Sequence, residues 1–436
     1  MCSRGISMKG YLLSLALVAF ACKEAPPEPP PPQSPLALAV EEVGVTEVWL
    51  RLGLTVGATP RSVELKQNGH LLETLTLTTS DTVIITDSLL PRQTYLFTAY
   101  RAVNVTVGDS ASVQLTTMDT TSHNFTWEID TLGQVNPSAL YDVALVNDTL
   151  AYAVGEVYML DSLGNYDPLP YNLAKWNGRS WELAKVTVST SSGDVTAPLN
   201  AIQAFSAHDI WLSSGVPIHG DGATWTQYHL FEMGILGPND GSLTKLWGTS
   251  SSTVYFVGNK GTIVLYNDKT WQKLQSGTSS TINDIWGALD NVSGKTCVLA
   301  PASNVAGGGD KEILRISATL VDTIVWSTGR RASSVWFSTS RRLFCCGGGV
   351  FVCSGGDSWL EQAGLSMTYT RRVRGSGWNS VFVVGDFGLV AHFNGIGWRT
   401  YPEVAAALYY SCAFNGRMMI AVGERGGRAV ILRMGQ

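Results

Sequence analysis

Arg331, Arg371 and Arg374 suit one task by residue type, because three permanently charged guanidinium forks can converge on a carboxylate. Asp386 and Glu424 could form the carboxylate pair that glycoside cleavage requires, although their separation is not a property of the sequence. Lys260 and Arg425 add charge to comparable loops, and Phe387 adds an aromatic contact. The binding set is therefore Lys260, Arg331, Arg371, Asp386, Phe387, Glu424 and Arg425, with His123 and Arg330 near it. Charged loop residues are most often plain solvated surface, so no catalytic residue is assigned.

Other chemistries lack their residues. The six histidines show no zinc-like spacing, Cys-x-x-Cys is absent, and no Gly-x-Ser-x-Gly elbow occurs. The glycine runs 307–309 and 347–349 are not followed by the Lys-Ser/Thr and helix of a phosphate loop. Neither a metal nor any other cofactor is implied. Cys345 or Cys346 could bridge to Cys353 in an oxidising compartment, but small buried residues in strands are the favoured reading.

The elements that would position these residues announce themselves by repetition. Trp176-Asn177-Gly178-Arg179-Ser180-Trp181, Tyr266-Asn267-Asp268-Lys269-Thr270-Trp271 and Phe393-Asn394-Gly395-Ile396-Gly397-Trp398 share one pattern. Asn-Gly and Asn-Asp suit the positive φ of a tight two-residue hairpin turn. Around the second copy, Leu246-Trp247-Gly248 and 254–266 supply further short strands, and 374–393 repeats that spacing before the third. Four strands in roughly 40 residues, with two faces to bury, make the blade of a β-propeller.

First strands are expected near Tyr141, Ala201, Thr244, Asn283, Ser334, Arg372 and Tyr410, and fourth strands near Trp181, Trp225, Trp271, Val325, Trp359 and Trp398. Seven starts meet six ends. The unattached segment 124–130, with Trp127, supplies the missing strand, giving a seven-bladed ring closed near its N-terminal end. In such a ring the loops between second and third strands share a face with the links between blades, which puts the binding set around the channel mouth.

Residues 36–118 precede the ring and alternate apolar and polar positions over six or seven short runs, as a small β-sandwich does. Within them Leu89-Leu90-Pro91-Arg92-Gln93-Thr94-Tyr95 resembles the Leu-x-Pro-x-x-x-Tyr stretch of fibronectin type III domains, where the Tyr closes a corner between sheets. Residues 1–21 read as an export signal, since Arg4 and Lys9 precede the apolar run 11–20, which is too short to span a bilayer. Starting at Met8 instead of Met1 preserves that reading. Ala19-Phe20-Ala21-Cys22 resembles the bacterial lipobox, which implies a lipid on Cys22; Phe20 is bulkier than the pattern favours. Residues 22–35 then form a proline-rich tether, an extended spacer of roughly 30 Å.

Composition fits an exported all-β chain: 45 glycines and only 15% charged residues suit many strands joined by tight turns, and a formal charge of −5 argues against nucleic acid. The layout resembles bacterial exported proteins with a fibronectin type III-like domain and a Trp/Gly-repeat propeller, sometimes labelled glucosyltransferase-like; photosystem assembly factors use related propellers. The resemblance implies a lipid-anchored envelope or cell-surface protein, monomeric, whose propeller at 119–436 binds an envelope protein or a glycan without catalysis. A carbohydrate-active enzyme, a glycoside hydrolase or sialidase, is the alternative. Asp221-Gly222-Ala223-Thr224-Trp225 falls one residue short of the sialidase Asp-box, itself a structural turn.

Overall fold

The structure is a computed structural model describing residues 36–54, 61–101, 110–190, 193–290, 294–304, 311–355, 358–365 and 368–436. Cys22, the apolar run before it, the proline-rich segment after it and the glycine run 307–309 lie outside the described residues. Among the described residues every regular element is a strand, apart from two single-turn helices at Asn259–Gly261 and Asp386–Gly388. No described helix is long and apolar enough to cross a membrane.

Alternating side chains give the N-terminal unit two sheets and one shared core. Strands Leu36–Val43, Val48–Leu54 and Asp81–Thr86 form one sheet, in that order. His70–Leu77, Arg61–Gln67, Thr94–Arg101 and Ser110–Thr116 form the other. Val48, Leu50 and Leu52 meet Val63, Leu65 and Phe97 between them. Tyr95 Oη accepts the Leu90 N–H at 2.9 Å, tying a strand to the corner that precedes it.

Among the described residues from Thr126 onward there are seven four-stranded antiparallel sheets and one two-stranded ribbon, Val188–Thr190 with Gly193–Val195. Consecutive sheets share apolar clusters, as where Val154 and Tyr152 of the first meet Ile210 and Leu212 of the second. The last sheet meets the first in the same way, with Ile420, Val422 and Ile431 against Leu140, Ala151 and Trp176. Thr126–Leu132 is the outer strand of the last sheet, pairing from Thr126 opposite Gly435 to Leu132 opposite Ala429. The Trp-Gly spacing has a packing cause: a Cβ on Gly287 would lie 2.4 Å from the Trp247 ring, and one on Gly375 would lie 2.7 Å from the Trp336 ring. The indole of one sheet lies over the glycine of the next.

Two of the three repeated turns differ from the expected two-residue form. Only the second has it, with Asn267 opposite Thr270 and Asp268 at φ 56°. In the first and third, the paired aromatics bracket four residues, Trp176 opposite Trp181 and Phe393 opposite Trp398. There the Asn keeps out of the left-handed region and its side chain caps the loop. Asn177 Oδ1 accepts the Arg179 and Ser180 N–H groups at 2.9 Å, and Gly178 takes the positive φ.

The N-terminal unit is docked onto the fifth and sixth sheets. Trp49 and Trp378 meet edge to face with centroids 5.0 Å apart, Arg341 pairs with Glu41 at 2.6 Å, and Arg342 pairs with Glu47. All three contacts fall on the turns that join first to second strands. The hairpin between Val43 and Val48 leads this contact, so Leu36 is at the other end of its strand.

The segment joining the two units sets His123 against His392 of the sixth sheet. His123 Nδ1 lies 3.0 Å from His392 Nδ1, and the His392 Nε2 lies 3.1 Å from the Ser380 hydroxyl. Phe125, Phe382 and Arg399 complete the surroundings. Two facing ring nitrogens can share one proton, which keeps both rings neutral. Burial, reinforced by His123, pushes His392 down to about 3, and burial also lowers His123. As pH falls below the ordinary 6.5, the unfolded chain therefore takes up protons that the fold refuses. Stability should fall progressively between pH 6.5 and about 3, by on the order of 4 kcal/mol from His392. Urea melts of wild type and His392→Gln across that window should diverge; parallel curves would exclude the pair as the cause.

Candidate functional site

Each sheet begins with an inward-facing strand, and the residues at these starts converge on one well. Its volume is about 590 Å³, and its lining includes Tyr141, Lys245, Arg331, Tyr369, Arg371, Arg372, Asp386 and Tyr410. The sheet starts contribute by register: Lys245-Leu246-Trp247, Asp284-Ile285-Trp286, Ser334-Val335-Trp336 and Arg372-Val373-Arg374 place a polar group at one repeated position.

The wall is aromatic and cationic. The Arg331 guanidinium lies over the Tyr369 ring at 4.6 Å, and Arg371 lies over Tyr410 at 4.9 Å while pairing with Asp386. Tyr141 donates to Glu156 at 2.5 Å, and burial together with that carboxylate raises its pKa far above the phenol range. Tyr141 thus stays a neutral donor.

A clasp of buried charges underlies the well. Arg374 grips Asp284 with two bonds of 2.9 Å, Arg372 joins the same carboxylate, and Ser334 donates to it at 2.5 Å. Asp142 receives Ser411 at 2.6 Å, Lys245 at 3.3 Å and Arg372 at 3.4 Å. Burial pushes both carboxyls upward, but the cations outweigh it and hold both below the usual range. Lys245 goes the other way. Burial, aided by repulsion from Arg372, outweighs the pull of Asp142 and Asp284 and lowers it to about 8. Below the clasp a smaller cavity of about 160 Å³ is lined by Trp247, Trp286 and Arg374, with Lys245 and Arg372 common to both spaces.

Of the expected binding set, Arg331, Arg371 and Asp386 line the well. Phe387 is 78% exposed at φ 57° and lines a neighbouring cavity with Asp386 and Tyr401. Lys260 has the equivalent position in the third sheet, at φ 54°, away from the well lining. Glu424 and Arg425 end the strand Met418–Arg425 instead of standing in a loop, because the chain reverses only at Gly426-Gly427. The three arginines do not converge: Arg374 is beneath, bonded to Asp284. Asp386 is paired with Arg371, which removes it as a free partner for Glu424.

Asp221 closes its own turn, accepting from the Ala223 and Thr224 N–H groups at 2.9 and 2.7 Å, and those bonds lower its pKa to about 2. Cys345, Cys346 and Cys353 are thiols without a disulfide, and burial raises the first two above the thiol range, so they are unreactive. Among the described residues no group of three or more His, Cys, Asp or Glu side chains could hold a metal ion. Tyr141, Tyr369, Tyr410, Lys245 and the Asp142–Asp284–Arg372 clasp were not singled out from sequence as a site. Their signal was a charged or polar residue at one inward register of an otherwise apolar repeat.

No protein-family model matches the chain, and no curated protein matches it. Solved structures do. YCF48 bound to D1 peptide is 17% identical over 71% of this chain and 95% of its own, with a TM-score of 0.52. The WD40 β-propeller domain of Doa1 is 13% identical over 72% and 98%, TM-score 0.52. The RRP9 WD40 repeats are 9% identical over 70% and 97%, TM-score 0.51. At such identities the likeness concerns fold, and it makes this an all-β chain built on a β-propeller.

Proposed function

We propose that this chain is a lipid-anchored envelope or cell-surface protein whose seven-bladed propeller binds a protein partner at the well, without catalysis. The observation that carries the reading is the well itself: tyrosine faces and guanidinium groups crowd one mouth, and its carboxylates are already committed to cations. Aromatic and arginine side chains dominate protein-binding hot spots. A glycosidase needs an acid able to hold its proton, whereas Asp142 and Asp284 are kept ionised by their partners. That one similar propeller was solved with a peptide bound is consistent with a polypeptide ligand here.

Seven sheets with shared clusters, including one between last and first, support ring closure by residues 126–132. The strand orders of the N-terminal unit and the Tyr95 bond support a fibronectin type III-like domain acting as a spacer. Two experiments test the reading. Palmitate should label wild type and not Cys22→Ala, and the labelled chain should fractionate with envelope membranes; equal labelling removes the anchor. Affinity capture from envelope extract, with a glycan array alongside, should return a protein partner that Arg371→Glu loses. Retention of a glycan alone would favour a glycan over a protein as the ligand, and turnover of that glycan would favour the carbohydrate-active alternative.

A further inference from the structure

The clasp is unbalanced. Lys245, Arg372 and Arg374 face only Asp142 and Asp284, and an excess buried charge is costly. Arg372 is 2% exposed, yet its Nε has no hydrogen-bond acceptor. Both Arg372 and Lys245 line the floor of the well, and Arg331 and Arg371 line its wall, Arg371 paired with Asp386.

Resting on the protein-binding reading above, we infer that the floor of this well receives one carboxylate of a polypeptide, either its C-terminal group or an Asp or Glu side chain. The carboxylate supplies the negative charge that the clasp lacks. Planar guanidinium forks match its geometry, and Tyr369 and Tyr410 add aromatic surface and hydroxyls for the residues beside it. The clasp lies between the well and the smaller cavity beneath. A polymer crossing the mouth can therefore offer the floor only an end or a side chain.

Short peptides with free or amidated C-termini, and with Asp/Glu or Asn/Gln inside, distinguish the two sources by fluorescence anisotropy on the full chain. Free-ended peptides should bind and amidated ones should not if the terminus is read; acidic peptides should bind at either ending if a side chain is read. Lys245→Met leaves two cations against two anions, and it should weaken binding roughly tenfold or more, as should Arg331→Gln in the wall. Should Lys245→Met fail to fold, Arg331→Gln carries the comparison. Equal binding of neutral amidated peptides overturns the proposal, as does binding of uronates or inorganic phosphate with no peptide bound. A protein partner captured equally by wild type and both variants overturns the well and leaves the protein-binding reading standing. Capture of no partner ends both.

Discussion

Asp284→Asn is expected to cost about 3–5 kcal/mol, because it leaves the buried Arg372 and the partly buried Arg374 without their shared carboxylate. Asp284 is 1% exposed and accepts from both guanidiniums and from Ser334. Desolvation of those cations is offset only while the carboxylate is present. The midpoint of thermal unfolding should fall by on the order of 10 °C, or the protein should be recovered insoluble. Asp148→Asn is the matched control: its partner Arg417 is largely exposed, so the change should stay within about 0.5 kcal/mol. Pairing Asp284→Asn with Arg374→Met should recover part of the loss. An Asp284→Asn protein that melts with wild type would mean the clasp contributes nothing to the fold.

A chain beginning at residue 133 should aggregate. Removing Thr126–Leu132 uncovers the backbone edge of the strand Arg428–Gly435, and unpaired edges recruit other chains. It also removes Phe125, which is buried against Phe382 at 5.1 Å and His392 at 5.0 Å. Phe125→Ala alone should cost about 3–5 kcal/mol. Light scattering and size exclusion of the truncated chain, alongside melts of Phe125→Ala, measure both effects. A truncated monomer with an unchanged melt would show that the strand is dispensable.

Strand pattern was readable because the sheets reuse a local rule of alternating apolar residues and a turn residue, joined at two junctions by an indole set over the neighbouring glycine. Trp247 over Gly287 and Trp336 over Gly375 are such cases. The pairing of segment 126–132 followed from arithmetic, one strand short at one end and one spare at the other. The turn geometry did not, since an Asn side chain can cap a loop as well as adopt positive φ, and composition does not separate the two. The site was half legible. Arg331 and Arg371 drew notice through their position near the links between sheets, whereas Lys245, Asp284 and Arg372 meet only where several sheets pack together, across separations such as the 88 residues between Arg372 and Asp284. Arg374 shows the opposite error: grouped by type with two mouth arginines, it belongs to the floor.

The N-terminal unit meets the propeller through turns at Trp378 and Arg341–Arg342, whereas the well opens on the side of Asp386 and Tyr369. Strand Leu36–Val43 runs from its free end toward that junction. Under the proposed anchoring, the polypeptide would enter the N-terminal unit at the end away from the propeller, and the well would open on the side away from that unit. Partners would then descend onto the well from the aqueous side, and lipids of its own leaflet would be the molecules least able to reach it.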